Sequence, residues 1–438
     1  MFLLLLACTA NSPEVTDTGL PFEPQMPTSE CGLPDYNWLT TDAMGELTAS
    51  TLKPDLSLDV DTIKVLLGNY SLPLPTPTNS VDTYYVQYRS QDRGNEVLGT
   101  AIVSLPRELD NAPVLLWLHP SMGFADECAP SAIGLVGAAY PVLFASMGFI
   151  VVAPDYMGMS GWVGNSDELH PYIIAEPTAV LSIDALRSLP NLIAEHDIEI
   201  EFDPGNISIW GVSEGGYAAL FTDRYLPHYA PEFGSVATVA AVPATDPFAL
   251  AQLGLQELGP TTMGVLAVQT TAQQWYQSTH EIEEYLQPEI AERIFQELSA
   301  SCSDFPLLDD IDEIDDIFTP EYIDGVLSDD GTADHWACML KENALTTSVI
   351  SPLAVAPTFI VTAELDDLAI SAPVHADIVQ LCDQGYNIQH LQCADTGHVS
   401  GAVDSIGTQW NWIQERLNGA PVSDACVIQE PSLCEADQ

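Results

Sequence analysis

The sequence predicts an α/β fold: a mostly parallel β-sheet with helices on both faces and a helical insertion late in the chain. Three observations predict it. From residue 81 onward, strand-like and helix-like runs alternate. Several of the strands are apolar along their whole length rather than at every second residue, the pattern of strands covered on both faces. The alternation then lapses over residues 248–350, where helical stretches stand without a convincing strand, and it resumes at residue 356.

Taken in order, "DTYYVQYRS" and "VLGTAIVSLP" are rich in β-branched and aromatic residues and read as a leading antiparallel pair. "APVLLWLHP" (112–120) is a continuous apolar strand ending in turn chemistry, and "ASMGFIVVAPDYMG" (145–158) is a helix end, a glycine stop and a buried strand. "PTAVLSIDALRSLPNL" (177–192) carries apolar residues three and four apart, the helical period. A strand "GNISIWGVS" (205–213), a helix "EGGYAALFTDRYLP" (214–227) and a strand "SVATVAAVPA" (235–244) follow. Beyond the insertion come strand "APTFIVTAE" (356–364), helix "APVHADIVQLCDQG" (372–385), strand "NIQHLQCA" (387–394) and helix "SIGTQWNWIQERLNG" (405–419). The expected division is therefore a signal and flexible tether over 1–30, a first core part over 31–247, a helical cap over 248–350, and a second core part with its tail over 351–438.

Apolar residues make up 47% of the 438, enough for a large core. The charge is extreme, with 63 acidic against 10 basic residues and a net charge of −53. No basic stripe exists to neutralise phosphates, so nucleic acid is excluded as a partner. Such a surface repels itself until salt screens it, which points to a salt-adapted protein. The expected result is thermal stability that rises as NaCl is added; a flat or falling curve contradicts it.

Chemistry concentrates at "ISIWGVSEGGYAALF". Gly211-Val212-Ser213-Glu214-Gly215 stands between a strand and a helix, where a sharp turn exposes a serine hydroxyl above the sheet. The glycines suit a turn too tight for a Cβ, and the helix points its positive end at the site. A serine hydroxyl is a weak nucleophile at neutral pH, so a base must take its proton and an acid must orient that base. Both should follow in loops at the carboxyl ends of later strands. Ala363-Glu364-Leu365-Asp366-Asp367 supplies the acid, with Asp366 the candidate and Asp367 or Glu364 the neighbours that could replace it. Ala394-Asp395-Thr396-Gly397-His398 supplies the base, His398. For a developing oxyanion the expected donors are the backbone N–H of Glu214 and one from His119-Pro120-Ser121-Met122-Gly123. Pro120 has no N–H, so Ser121 or Met122 must provide the second, and Ser121 is the candidate. His119 reads as a packing and hydrogen-bonding residue.

Together "GVSEGG", "GFIVVAPDYMGMSG", "LHPSMG", "AELDDLAI" and "TGH" resemble the α/β-hydrolase superfamily, and within it the secreted lipase and esterase branch, over about residues 80–420. The resemblance implies a serine hydrolase that cleaves carboxylic esters through an acyl-enzyme, with Ser213, Asp366 and His398 as its triad, no cofactor, and a small-molecule or lipid ester as substrate. A serine peptidase of the same superfamily and a catalytically inactive surface binding protein are the alternatives. Two positions depart from the family pattern. Pro120 replaces the usual glycine of the oxyanion loop, and Ala363 replaces the usual glycine of the acid loop.

The chain begins "MFLLLLACTANSPEV", whose apolar run is far shorter than the roughly 20 residues that span a bilayer. It reads as a secretory signal, and Leu5-Leu6-Ala7-Cys8 resembles a bacterial lipobox, with Cys8 as the lipidated residue. Membrane contact is expected only through that anchor, on an exported protein of the outer membrane or cell surface, or otherwise a secreted one. Without Cys8, eight cysteines remain. In an exported chain they read as disulfides. Short loops favour Cys426–Cys434 and Cys382–Cys393, and elimination leaves Cys302–Cys338 and Cys31–Cys128. No C-x-x-C occurs, so no zinc site is expected. The acidic tract over 309–334 lacks EF-hand spacing and reads as a solvated face, with calcium the competing reading.

Overall fold

Three central strands, VLLWL, IVVAP and TFIVTA, are buried at every residue, so the sheet they build must be covered on both sides. A computed structural model of the protein describes residues 25–434, apart from 27, 28, 30, 35, 69–71, 164, 165, 167, 301 and 303–310. Cys8, the proposed signal and most of the tether lie outside the described residues, as do the first two residues of the acidic tract.

The chain runs β1 (Leu47–Leu52), α1 (Val60–Leu67), β2 (Val81–Asp92), β3 (Asn95–Pro106), β4 (Val114–Leu118), α2 (Leu135–Ser146), β5 (Ile150–Pro154), α3 (Ala175–Glu195), β6 (Ile207–Val212), α4 (Glu214–Tyr229) and β7 (Ser235–Ala241). Six helices follow: α5 (Pro247–Gly254), α6 (Pro260–Trp275), α7 (Pro288–Ala291), α8 (Ile294–Ala300), α9 (Pro320–Ser328) and α10 (Asp334–Glu342). The core then resumes with β8 (Thr358–Ala363), α11 (Ser371–Asp383), β9 (Ile388–Cys393), α12 (His398–Asp404) and α13 (Ile406–Leu417).

The nine strands form one sheet in the order β1-β2-β3-β5-β4-β6-β7-β8-β9. The first four are joined by antiparallel pairing and the rest by parallel pairing. The β2–β3 hairpin closes on Arg93-Gly94, both at positive φ, the two-residue turn that matches strand twist. Residues of one strand divide between the faces. Phe359 and Val361 pack with α2 and α13, whereas Ile360 packs with α3, α4 and α11. The helical stretches expected within residues 248–350 are present but interrupted: Gln277 takes φ 51° just after α6, and Pro288 opens α7. Strand β1 is an element the sequence reading did not anticipate.

All eight cysteines of the described part are paired, but none in the expected way. The bonds are Cys31–Cys338, Cys128–Cys302, Cys382–Cys426 and Cys393–Cys434, which replace Cys426–Cys434, Cys382–Cys393, Cys302–Cys338 and Cys31–Cys128. The cause is the path of the tail. After α13 the chain returns alongside β9, where Cys426 N–H donates to Ile388 O and Ala394 N–H donates to Ser432 O. Cys426 therefore reaches the start of β9, beside the end of α11, and Cys434 reaches its far end. A strand of this length holds the two ends roughly 17 Å apart, too far for either expected short-range bond. The other two bonds tie the helices between β7 and β8 to the core, one through α10 and the N-terminal segment, the other through residue 302 and the loop after β4.

That N-terminal segment lies over α3. Tyr36 Oη and Trp38 Nε1 both donate to the buried carboxyl of Glu176. Burial pushes Glu176 up to about 7, and with it Asp377 to about 7 and Asp155, Asp184 and Asp223 to about 6. Each raised group binds its proton more tightly folded than unfolded. The stability it contributes is complete below its ordinary value near pH 4 and is lost as pH climbs through 6 to 7. The melting temperature should accordingly fall between about pH 4.5 and pH 7.5. Glu176→Gln should flatten that fall by removing roughly 3 kcal/mol of it, read by calorimetry across pH. An unchanged slope in the variant rules out Glu176 as a contributor.

Candidate active site

The parallel strands β6, β8 and β9 end on one edge of the sheet, and each is followed by a residue of the expected site. Ser213, directly after β6, takes φ 57° and ψ −118°, a backbone that side chains other than glycine rarely adopt. The turn is held by Ser213 N–H donating to Ala241 O at 2.8 Å and Tyr217 N–H donating to Ser213 O at 3.1 Å. Glycine is obligatory on either side. A Cβ on Gly211 would stand 1.8 Å from Gly215 O, and one on Gly215 would stand 2.0 Å from Leu118 O. The second contact also shows that the start of α4 lies against the loop that leaves β4.

After β8 and β9 the two loops are stitched together: Glu364 N–H donates to Cys393 O at 2.9 Å and Leu365 N–H to Thr396 O at 2.8 Å. This register turns Asp366 inward, with its side chain 1% exposed. Asp366 Oδ1 accepts from the backbone N–H of Leu368 at 3.0 Å and of Ala369 at 2.8 Å. Asp366 Oδ2 lies 2.8 Å from His398 Nδ1, and His398 Nε2 lies 2.8 Å from Ser213 Oγ. Facing an acceptor, Nδ1 carries the ring proton, which leaves the Nε2 lone pair for the serine hydroxyl. The structure thus brings Ser213, His398 and Asp366 into one hydrogen-bonded chain. Glu364 and Asp367 are exposed; Glu364 accepts from Asp395 N–H at 3.0 Å instead.

Glu214, the first residue of α4, has its backbone at the helix N-terminus and its side chain 2% exposed. Ser121 lies in the loop after β4, and its hydroxyl is 2.9 Å from Tyr172 Oη. His119 is buried, its Nδ1 donates to Pro120 O at 2.7 Å, and its ring stacks on Tyr156 with centroids 4.0 Å apart. Burial pushes its pKa down to about 4, so it is neutral at pH 7. Tyr156 Oη donates to His119 O at 2.9 Å, and the fully buried Asp155 accepts from Thr100 Oγ1 at 2.6 Å and Ser131 N–H at 3.0 Å. The Asp155-Tyr156 pair thereby fastens the strand ends under the β4 loop. Sequence reasoning missed His170, whose Nε2 meets the Glu214 carboxyl. Its one signal is that it follows a strand ending on this same edge.

Beside Ser213 and Glu214 lies an apolar cavity of about 40 Å3, lined by Tyr172, Ile173, Leu250, Val265, Val268 and Leu368 among others. Its walls come from the loop after β5, from α5 and α6, and from the acid loop. A larger groove of about 750 Å3 runs between the N-terminal segment and α10, and none of Ser213, Asp366 or His398 lines it. Among the described residues, the cysteine and acidic side chains that could share one ion are Cys31, Cys338 and Glu342. The first two are bonded to each other, which leaves no thiolate to bind a metal. No helix among the described residues is long and apolar enough to cross a membrane.

Solved structures share this architecture. The rice cell wall degrading esterase LipA from Xanthomonas oryzae is 20% identical, with a TM-score of 0.68 over 85% of this chain and 98% of its own. Candida antarctica lipase A in its closed state is 16% identical, with a TM-score of 0.67 over 89% of this chain and 86% of its own. At these identities the likeness establishes the α/β-hydrolase fold. No curated protein matches by sequence. The secretory lipase family model, however, matches residues 139–425, about two thirds of the chain, from within α2 to past α13. On that match the chain belongs to the secretory lipase family.

Proposed function

We propose that the protein hydrolyses carboxylic esters through an acyl-enzyme formed on Ser213, within the ester-hydrolase chemistry that its family and fold support. The observation that carries this reading is the unbroken chain from Ser213 Oγ through His398 to Asp366 Oδ2 at the carboxyl edge of the sheet. His398 takes the serine proton as Oγ attacks the ester carbonyl, then returns it to the departing alkoxide; Asp366 orients the ring and stabilises its charged form. The backbone N–H groups of Glu214 and Ser121 receive the oxyanion. Helices α5 to α10 act as a cap, and the apolar cavity beneath them takes the acyl chain. The protein works outside the cytoplasm, where its four disulfides persist, and a lipid on Cys8 anchors it to the membrane.

The test is labelling with a fluorophosphonate probe alongside a panel of p-nitrophenyl esters from acetate to long-chain acyl groups. Labelling that is stoichiometric in the wild type and absent from Ser213→Ala is the expected result. Equal labelling of both proteins overturns the assignment, and faster turnover of peptide amides than of esters replaces it with a peptidase.

A further inference from the structure

Glu214 sets an electrostatic problem. The residue whose N–H is proposed to meet the oxyanion also carries a carboxyl group, buried at 2% exposure beside the same site. An anion there opposes the negative charge that forms in the transition state. Four further titratable groups that interact with this carboxyl are His119, Tyr156, Tyr172 and Tyr217. All four are neutral at pH 7, because burial pushes the histidine down and the tyrosines up. None supplies a counter-charge. His170 remains.

Hydrogen-bond chemistry decides the state of the pair. His170 is fully buried and holds Met157 O at 2.8 Å through Nδ1 and the Glu214 carboxyl through Nε2. Both partners of the ring therefore present oxygen. With the carboxyl ionised and the ring neutral, one tautomer sets a bare Nε2 against the carboxylate, and the other sets a bare Nδ1 against the Met157 carbonyl. Either leaves two lone pairs facing each other in a buried site. One added proton removes both conflicts: the ring is then doubly protonated beside a carboxylate, or neutral and accepting from a carboxylic acid. In each form the pair has no net charge.

We infer that His170 and Glu214 share one proton, and that His170 is a positioning residue that keeps the oxyanion site free of net negative charge. The inference rests on the reading of Ser213 as nucleophile and of Glu214 N–H as an oxyanion donor. Tyr156 stacks on His170 with centroids 5.4 Å apart and on His119 at 4.0 Å, so the ring is also held in its plane.

The experiment compares kcat and KM on p-nitrophenyl butyrate for the full chain and four variants, with thermal melting to establish folding. His170→Phe keeps the stacking shape and strands the Glu214 charge; its kcat should fall about a hundredfold, with KM changed about threefold at most. His170→Phe/Glu214→Gln removes the stranded charge and should recover at least about tenfold of that loss. Glu214→Gln alone should fall less than His170→Phe. A purely structural role for His170 predicts no rescue, and a double variant no better than His170→Phe overturns the inference. If His170→Phe does not fold, 15N NMR of histidine-labelled wild-type protein decides. A doubly protonated His170, or a neutral ring accepting at Nε2, supports the shared proton, and a neutral ring protonated at Nε2 alone refutes it. The fourth variant, Ser213→Ala, separates the two levels: wild-type turnover in it overturns the reaction itself, whatever the His170 variants do.

Discussion

Ser213→Ala is expected to lower kcat for p-nitrophenyl esters by about 10^4- to 10^6-fold while leaving KM within a few-fold. The size of the effect follows from what the hydroxyl does. In the proposed mechanism it forms the covalent bond of the acyl-enzyme, so its loss removes the pathway rather than one stabilising contact. The residue that remains is set by binding and the oxyanion donors, which still act on a water attack. His398→Ala should cost about as much, and the double variant little more, because in the proposed mechanism serine and histidine act as one unit. The fold should be unaffected. Alanine takes the same φ of 57° with no larger a Cβ, and the turn is held by backbone hydrogen bonds that the substitution leaves in place. A Ser213→Ala protein that melts like the wild type and turns over at its rate removes Ser213 from the mechanism.

Asp366→Asn is expected to lower kcat by about 10^4-fold, and Asp367→Asn by no more than about twofold. The contrast comes from two hydrogen bonds. Leu368 N–H and Ala369 N–H both donate to one oxygen of Asp366, so an asparagine there keeps its carbonyl oxygen on that side. Its NH2 group then faces His398 Nδ1, which must give up its proton and become the acceptor. The ring proton moves to Nε2, which now donates towards Ser213 Oγ and can no longer receive its proton. Asp367 is exposed on the same loop, and its backbone carbonyl, accepting from Thr261 Oγ1 at 2.6 Å, is untouched by the change. Measuring kcat for the two variants side by side fixes the phase of the acid loop. Equal losses in both, or the larger loss at Asp367, overturn Asp366 as the orienting acid.

Much of the core was legible because its signals are local. VLLWL and TFIVTA are buried at every residue, as uninterrupted apolar runs between turn residues must be in a sheet covered on both faces. β1 escaped notice because LTASTL is half polar and has no fully buried residue. It is a strand through its pairing with β2, a partner more than 30 residues away. The acid stood open among Glu364, Asp366 and Asp367, since adjacent residues share composition and differ only in where the backbone turns them. Two hydrogen bonds between the β8 and β9 loops settle which one points inward.

What the sequence determined by itself, then, is whatever chain-local physics controls: the order of strands and helices, and the strand–turn–helix around Ser213 whose two flanking glycines leave no room for a Cβ. It also determined the net charge of −53. Only the tertiary structure decided which cysteines meet, because bonding needs Cα atoms about 5–6 Å apart and the returning tail, not loop length, brings them there. It alone decided the partner of Glu214. His170 lies 44 residues upstream in a loop with no motif, and the two meet because β5 and β6 end on the same edge of the sheet. Proximity in a folded chain is set by topology, and a side chain carries no local mark of what it will touch.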